Sequence, residues 1–87
     1  MKFLKTADEI TRSIDRTTRF KPAWTIGISA DVRRSRKEHG QPRFWYEWEA
    51  ASEAEAEAVK THFTERRMKE SGSHQGRYPR YVFIFLR

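Results

Sequence analysis

Between positions 33 and 43 the chain carries Arg33, Arg34, Arg36, Lys37 and Arg43 against a single acid, Glu38. Cations at that density suit a polyanion, because each one can neutralise a phosphate and release the counterion condensed on it. His39 closes the run as a helix C-terminal cation or phosphate contact. Trp45 lies just beyond, with an indole ring that a nucleobase can stack on when it is exposed. Arg33, Arg34, Arg36, Lys37, His39, Arg43 and Trp45 are therefore the candidate nucleic-acid-binding residues. The bland alternative is a solvated cationic helix face beside a tryptophan that belongs to the core.

Other chemistries are poorly supplied. His39, His62 and His74 lack metal-ligand spacing, and with no Cys in the chain there is no thiolate to join them and no disulfide framework. Gly72 and Gly76 do not join a strand to a helix as a phosphate-binding loop requires, and no Ser-His-Asp arrangement is visible. Five of the 12 acids, Glu47, Glu49, Glu53, Glu55 and Glu57, crowd together after the basic run. A positive side and a negative side are expected on one molecule. The formal charge of +6 favours a polyanionic partner.

The elements that must position these groups follow from capping and periodicity. Thr6 and Glu9 have capping-box spacing, so a helix is expected from there to about Arg19, where Lys21-Pro22 blocks continuation. Trp24, Ile26 and Ile28 alternate with Thr25, Gly27 and Ser29, the period of a strand. A short basic helix should run from Ala30 to His39, capped by Ser29 with Asp31 in its first turn, and Gly40 should stop it. Arg43 to Glu49 reads as a second strand with Phe44, Tyr46 and Trp48 on one face and Trp45, Glu47 and Glu49 on the other. Ser52 and Glu55 form another capping-box pattern, opening a helix to about Lys69 anchored by Val59 and Phe63. Residues 71–76 read as a flexible loop, and Tyr81 to Leu86 as a central strand, apolar on both faces.

These elements predict one α/β (α+β) domain over residues 1–87: a small three-stranded sheet flanked by helices in the order α-β-α-β-α-β. Aromatics make up 14% of the residues, so the core should be aromatic. No apolar run approaches the length of a membrane span, and the first residues lead into charged sequence without a signal-peptide stretch. A cytoplasmic protein that does not engage a membrane is expected.

Within this frame, the segment from Trp24 to Gly40 resembles the second half of the GIY-YIG nuclease signature. That family has a strand ending in Tyr-Ile/Val-Gly-Ile-Thr, an Asp-containing turn, and an Arg-rich helix closing in Glu-His. Here Ile26-Gly27-Ile28-Ser29, Asp31, Arg34 and Glu38-His39 fall in register, and Phe44 to about Arg67 resembles the family's next strand and helix. The resemblance implies a GIY-YIG-like fold and, for the family's activity, metal-dependent phosphodiester hydrolysis assisted by a tyrosine. The departures fall on the chemistry: Thr25 stands at the tyrosine position and Ser35 at the phosphate-supporting arginine. The metal-binding glutamate has an approximate counterpart in Glu57. No GIY segment precedes Trp24, and Tyr81 to Leu86 is the candidate replacement strand.

The expectation is thus a basic nucleic-acid-binding protein on a catalytically degenerate GIY-YIG-like scaffold that needs no cofactor. One alternative is a Mg²⁺-dependent nuclease whose tyrosine comes from Tyr78 or Tyr81, with Glu57 on the metal. Another is a protein-interaction module, as in a phage or mobile-element factor, using the acidic patch or the aromatic strand. Oligomeric state is not set by any of these features.

Overall fold

Thr6 caps the first helix as its spacing requires: its Oγ1 accepts from the Glu9 backbone N–H at 3.2 Å, and its own N–H donates to Glu9 Oε1 at 3.0 Å. That hydrogen bond holds the Glu9 carboxyl below its ordinary pKa. The computed structural model describes residues 4–71 and 79–86. In it the helix, α1, spans Ala7–Thr17, and a single turn at Lys21–Ala23, opened by Pro22, leads into strand β1, Trp24–Ser29. Helix α2, Val32–Glu38, crosses to strand β2, Phe44–Glu49, and helix α3, Glu53–Thr64, crosses back to a two-residue strand, β3, Lys69–Glu70. Strand β4, Tyr81–Leu86, closes the sheet. The α/β class and the flanking helices are as expected.

Among the described residues the sheet has four strands, not three, in the order β2-β4-β1-β3. The additional one arises where the third helix ends earlier than its composition suggests. Arg67 adopts φ +74°, Met68 N–H reaches back to Phe63 O and Arg67 N–H to Thr64 O. This Schellman closure redirects the chain, so that Lys69 and Glu70 lie parallel beside Thr25 and Ile26. The second capping box is half formed. Ser52 Oγ accepts from Glu55 N–H at 3.2 Å, but Oε2 of Glu55 is shielded from solvent without a hydrogen-bond partner.

β4 runs antiparallel to both β1 and β2. The strands on either side of it are therefore parallel to each other and need long crossovers. The β1-to-β2 and β2-to-β3 connections travel across the sheet in opposite directions, so crossovers of one hand must use opposite faces. On one face α1 and α3 cover Trp24, Ile26, Ile28, Val82 and Ile84 with Ile10, Ile14, Ala56, Val59 and Phe63, forming the main core. On the other face α2 lies over a smaller cluster of Val32, Phe83 and Phe85, with Trp45 and Tyr81 packed against it. Among the described residues no helix is long and apolar enough to cross a membrane.

Candidate nucleic-acid interface

The short basic helix is seated by residues that do not look like anchors. Val32 and Ser35 are buried, and with half-buried His39 they form one stripe along α2, facing the sheet. Ser35 Oγ donates to Ser29 Oγ at 2.7 Å in the seam between helix and strand, and the same Ser29 hydroxyl accepts from Asp31 N–H at 2.9 Å. The helix start differs from expectation for this reason. The Ser29 hydroxyl is committed to the turn, so Asp31 becomes the N-cap, accepting from Arg34 N–H at 3.1 Å, and the helix begins at Val32 rather than Ala30.

His39 caps the other end of α2 with its backbone, and its ring lies on the aromatic cluster, 4.7 Å from the Phe85 ring centroid. Its Nε2 is 3.1 Å from Ser71 Oγ. Trp45, opposite Phe85 in the strand register, stacks on Phe83 at 4.6 Å and 10° and on Phe85 at 5.5 Å and 13°. Its Nε1–H donates to Glu47 Oε1 at 2.8 Å. The indole is half-buried, so it is partly a wall of the second core and partly surface. The rings depend on Gly27 beneath them. A Cβ at Gly27 would come within 2.5 Å of Phe83 Cζ and 2.8 Å of Ser71 Cβ.

With Val32, Ser35 and His39 turned inward, Arg33, Arg34, Arg36 and Lys37 are left outward and exposed. Arg34 pairs with Glu38 at 3.3 Å, an exposed i,i+4 contact of small energetic value. Among the described residues Arg33, Arg36, Lys37 and Arg43 have no acidic partner. Arg33, Arg36, Lys37 and Gln41 line an open depression of about 320 Å³. Arg33 also borders a second depression of about 290 Å³, shared with Ala30, Asp31, Val32, Glu47 and Tyr81. Arg33 is common to both depressions, and Glu47 of β2 and Tyr81 of β4 border the second.

The residues that the nuclease resemblance singles out are distributed differently. Thr25 is half-buried on the α2 face, and Ser35 is committed to Ser29. Glu57 belongs to α3, which packs on the opposite face of the sheet, and its carboxylate meets Lys60 at 3.6 Å. Tyr81 and Glu57 are therefore on different sides of the molecule. Among the described residues no group of three His, Asp or Glu side chains is placed to hold a metal ion. The residues around Glu57 thus do not fit the metal that the resemblance implies. His62 stacks edge-on against Phe63 at 4.8 Å. Tyr78 and His74 lie outside the described residues, as does the expected loop beyond Ser71.

Sequence reasoning missed the inward role of Ser35 and His39, although their spacing from Val32 marks the face. It also missed Tyr81 and Glu47 as neighbours of Arg33, which no local pattern signals. No protein-family model, curated protein or solved structure matches the chain.

Proposed function

We propose that this protein binds nucleic acid along the cleft between α2 and β2, on a catalytically degenerate scaffold of GIY-YIG type. The observation that carries the reading is the set of Arg33, Arg36, Lys37 and Arg43, exposed and without acidic partners among the described residues, beside the partly open indole of Trp45. Unpaired cations add to the local potential in full, whereas Arg34 is partly neutralised by Glu38. The Trp45 indole, held by its stacking on Phe83 and Phe85, offers a partly open ring of fixed orientation, which favours a base over a compact anion.

In a titration of labelled single-stranded and duplex oligonucleotides against salt, the triple variant Arg33→Ala/Arg36→Ala/Lys37→Ala is expected to bind more weakly. The slope of log K against log salt should fall by about 0.9 for each phosphate left without its cation on duplex, or about 0.7 on single strands. Folding should be unaffected, because these side chains pack on nothing in either core. Unchanged affinity for DNA and RNA in both forms refutes the reading.

A specific placement keeps hydrolysis under test, since Tyr81 shares its depression with Asp31, Arg33 and Glu47. The expected result is that protein supplied with Mg²⁺ or Mn²⁺ cleaves neither DNA nor RNA above background. Loss of a general base costs about 10²- to 10⁴-fold, and loss of a charge-stabilising donor costs about 10²- to 10³-fold again. Thr25 and Ser35 incur both losses. Metal-dependent cleavage that disappears in Tyr81→Phe would replace the binding reading with that of a rearranged nuclease.

A further inference from the structure

We infer that the free edge of β2 is a self-association surface, through which two copies of this chain pair antiparallel about Trp45 into one continuous sheet. The inference rests on the geometry of that edge and not on the nucleic-acid reading.

Among the described residues β2 has a neighbouring strand, β4, on one side only. Ala50 N–H donates to Arg80 O, so Phe44, Tyr46 and Trp48 are the residues whose backbone groups pair with β4. The N–H and C=O groups of Trp45 and Glu47 then point outward, as those of Glu49 do. At that end the edge is already used: Lys5 N–H donates to Glu49 O, and Ala51 N–H to Lys5 O. The open template is residues 43–47. It carries Phe44 and Tyr46, which remain 48% and 41% exposed. Open edges of this kind are pairing sites unless a protein blunts them.

The same restriction selects the register. A second strand can hydrogen-bond only where outward-pointing residues meet, so odd positions must face odd positions. Pairing about Tyr46 would set Arg43 of the second copy opposite Glu49, where Lys5 already lies. Pairing about Glu47 would set two glutamates face to face. Pairing about Phe44 would engage fewer residues. Pairing about Trp45 spans 43–47 from both copies and stops before Lys5. It sets Arg43 opposite Glu47 twice, and on the other face Phe44 opposite Tyr46 twice. Self-complementary charge and ring pairs of this type are the contacts that stabilise strand pairs.

A two-fold axis through the Trp45 pair is perpendicular to the sheet, so both α2 helices lie on the same face of the joined sheet. The dimer would bring the two sets of Arg33, Arg36 and Lys37 onto one face, around a central pair of indoles, with each Arg43 paired to Glu47 of the other copy.

The net charge of +6 opposes association at low salt, so the measurement belongs near 0.15 M, where the screening length is about 8 Å. Sedimentation velocity is expected to show a concentration-dependent dimer. Arg43→Glu and Glu47→Arg should each raise its dissociation constant about tenfold, and the double exchange should restore it. Because the chain has no Cys, Phe44→Cys and Tyr46→Cys report the register directly. Oxidising a mixture of the two single variants should give a cross-linked dimer, and oxidising either alone should not. A protein that stays monomeric at every concentration overturns the inference. Cross-linking of Phe44→Cys alone or of Tyr46→Cys alone overturns the register.

Discussion

Removing residues 81–87 is expected to unfold the protein outright. β4 is paired with β1 through six residues and with β2 through six more, and among the described residues no other strand joins those two. Without it, two parallel strands would have to close a gap that their crossover helix does not span. Val82, Phe83, Ile84 and Phe85 are all buried, two in each core. Truncating a single large core residue costs about 2 to 5 kcal/mol, and a domain's whole stability is about 5 to 15 kcal/mol. Far-UV circular dichroism with thermal melting checks this, and Ile84→Ala provides the graded version. A truncated chain that still melts cooperatively near the parent temperature would contradict the central role of β4.

Gly27→Ala is expected to be the most damaging single-methyl addition, at about 1 to 3 kcal/mol. The new Cβ meets a fully buried phenyl ring on one side and the Ser71 Cβ on the other, and neither is the end of a flexible side chain. Relief must come by tilting Phe83, which carries Trp45 stacked on it. The near-ultraviolet circular dichroism of the indole should therefore change along with the melting temperature. Phe83→Leu removes the ring from the line of collision, so the double variant should be more stable than the sum of the two single losses by about 1 kcal/mol. Strict additivity would show that Phe83 is not what excludes a side chain at Gly27.

Much of the frame was legible because it is local. The Thr6–Glu9 capping box, the alternation of β1 and the apolar run of β4 each follow from a few neighbouring residues, and each forms as expected. The two faces of β2 also follow from its alternation, but the alternation does not say how far each is covered. Phe44 and Tyr46 look like core residues, yet they stay exposed because β2 lies at the edge of the sheet, where α1 and α3 do not reach. Burial of a strand face depends on its place in the strand order, and strand order is a non-local property. Helix α3 ends early for a similar reason. Its composition favours helix beyond Thr64, but the pairing of Lys69 and Glu70 with β1 and the burial of Met68 favour a turn at Arg67.

The candidate site divides along the same line. Sequence alone determined that Arg33, Arg34, Arg36 and Lys37 would face outward, because a short helix whose apolar anchors are few cannot bury its cations. The resemblance that puts Thr25 and Ser35 at a tyrosine and an arginine position is likewise carried by local sequence alone. Only the tertiary structure decided that Ser35 would dock the helix on Ser29, that His39 would lie on Phe85, and that Tyr81 and Glu57 would face opposite sides of the sheet. Helical phase follows from hydrogen bonds four residues apart. Which helix covers which face depends on the direction in which each crossover travels across the sheet, and no pattern within either segment records that choice.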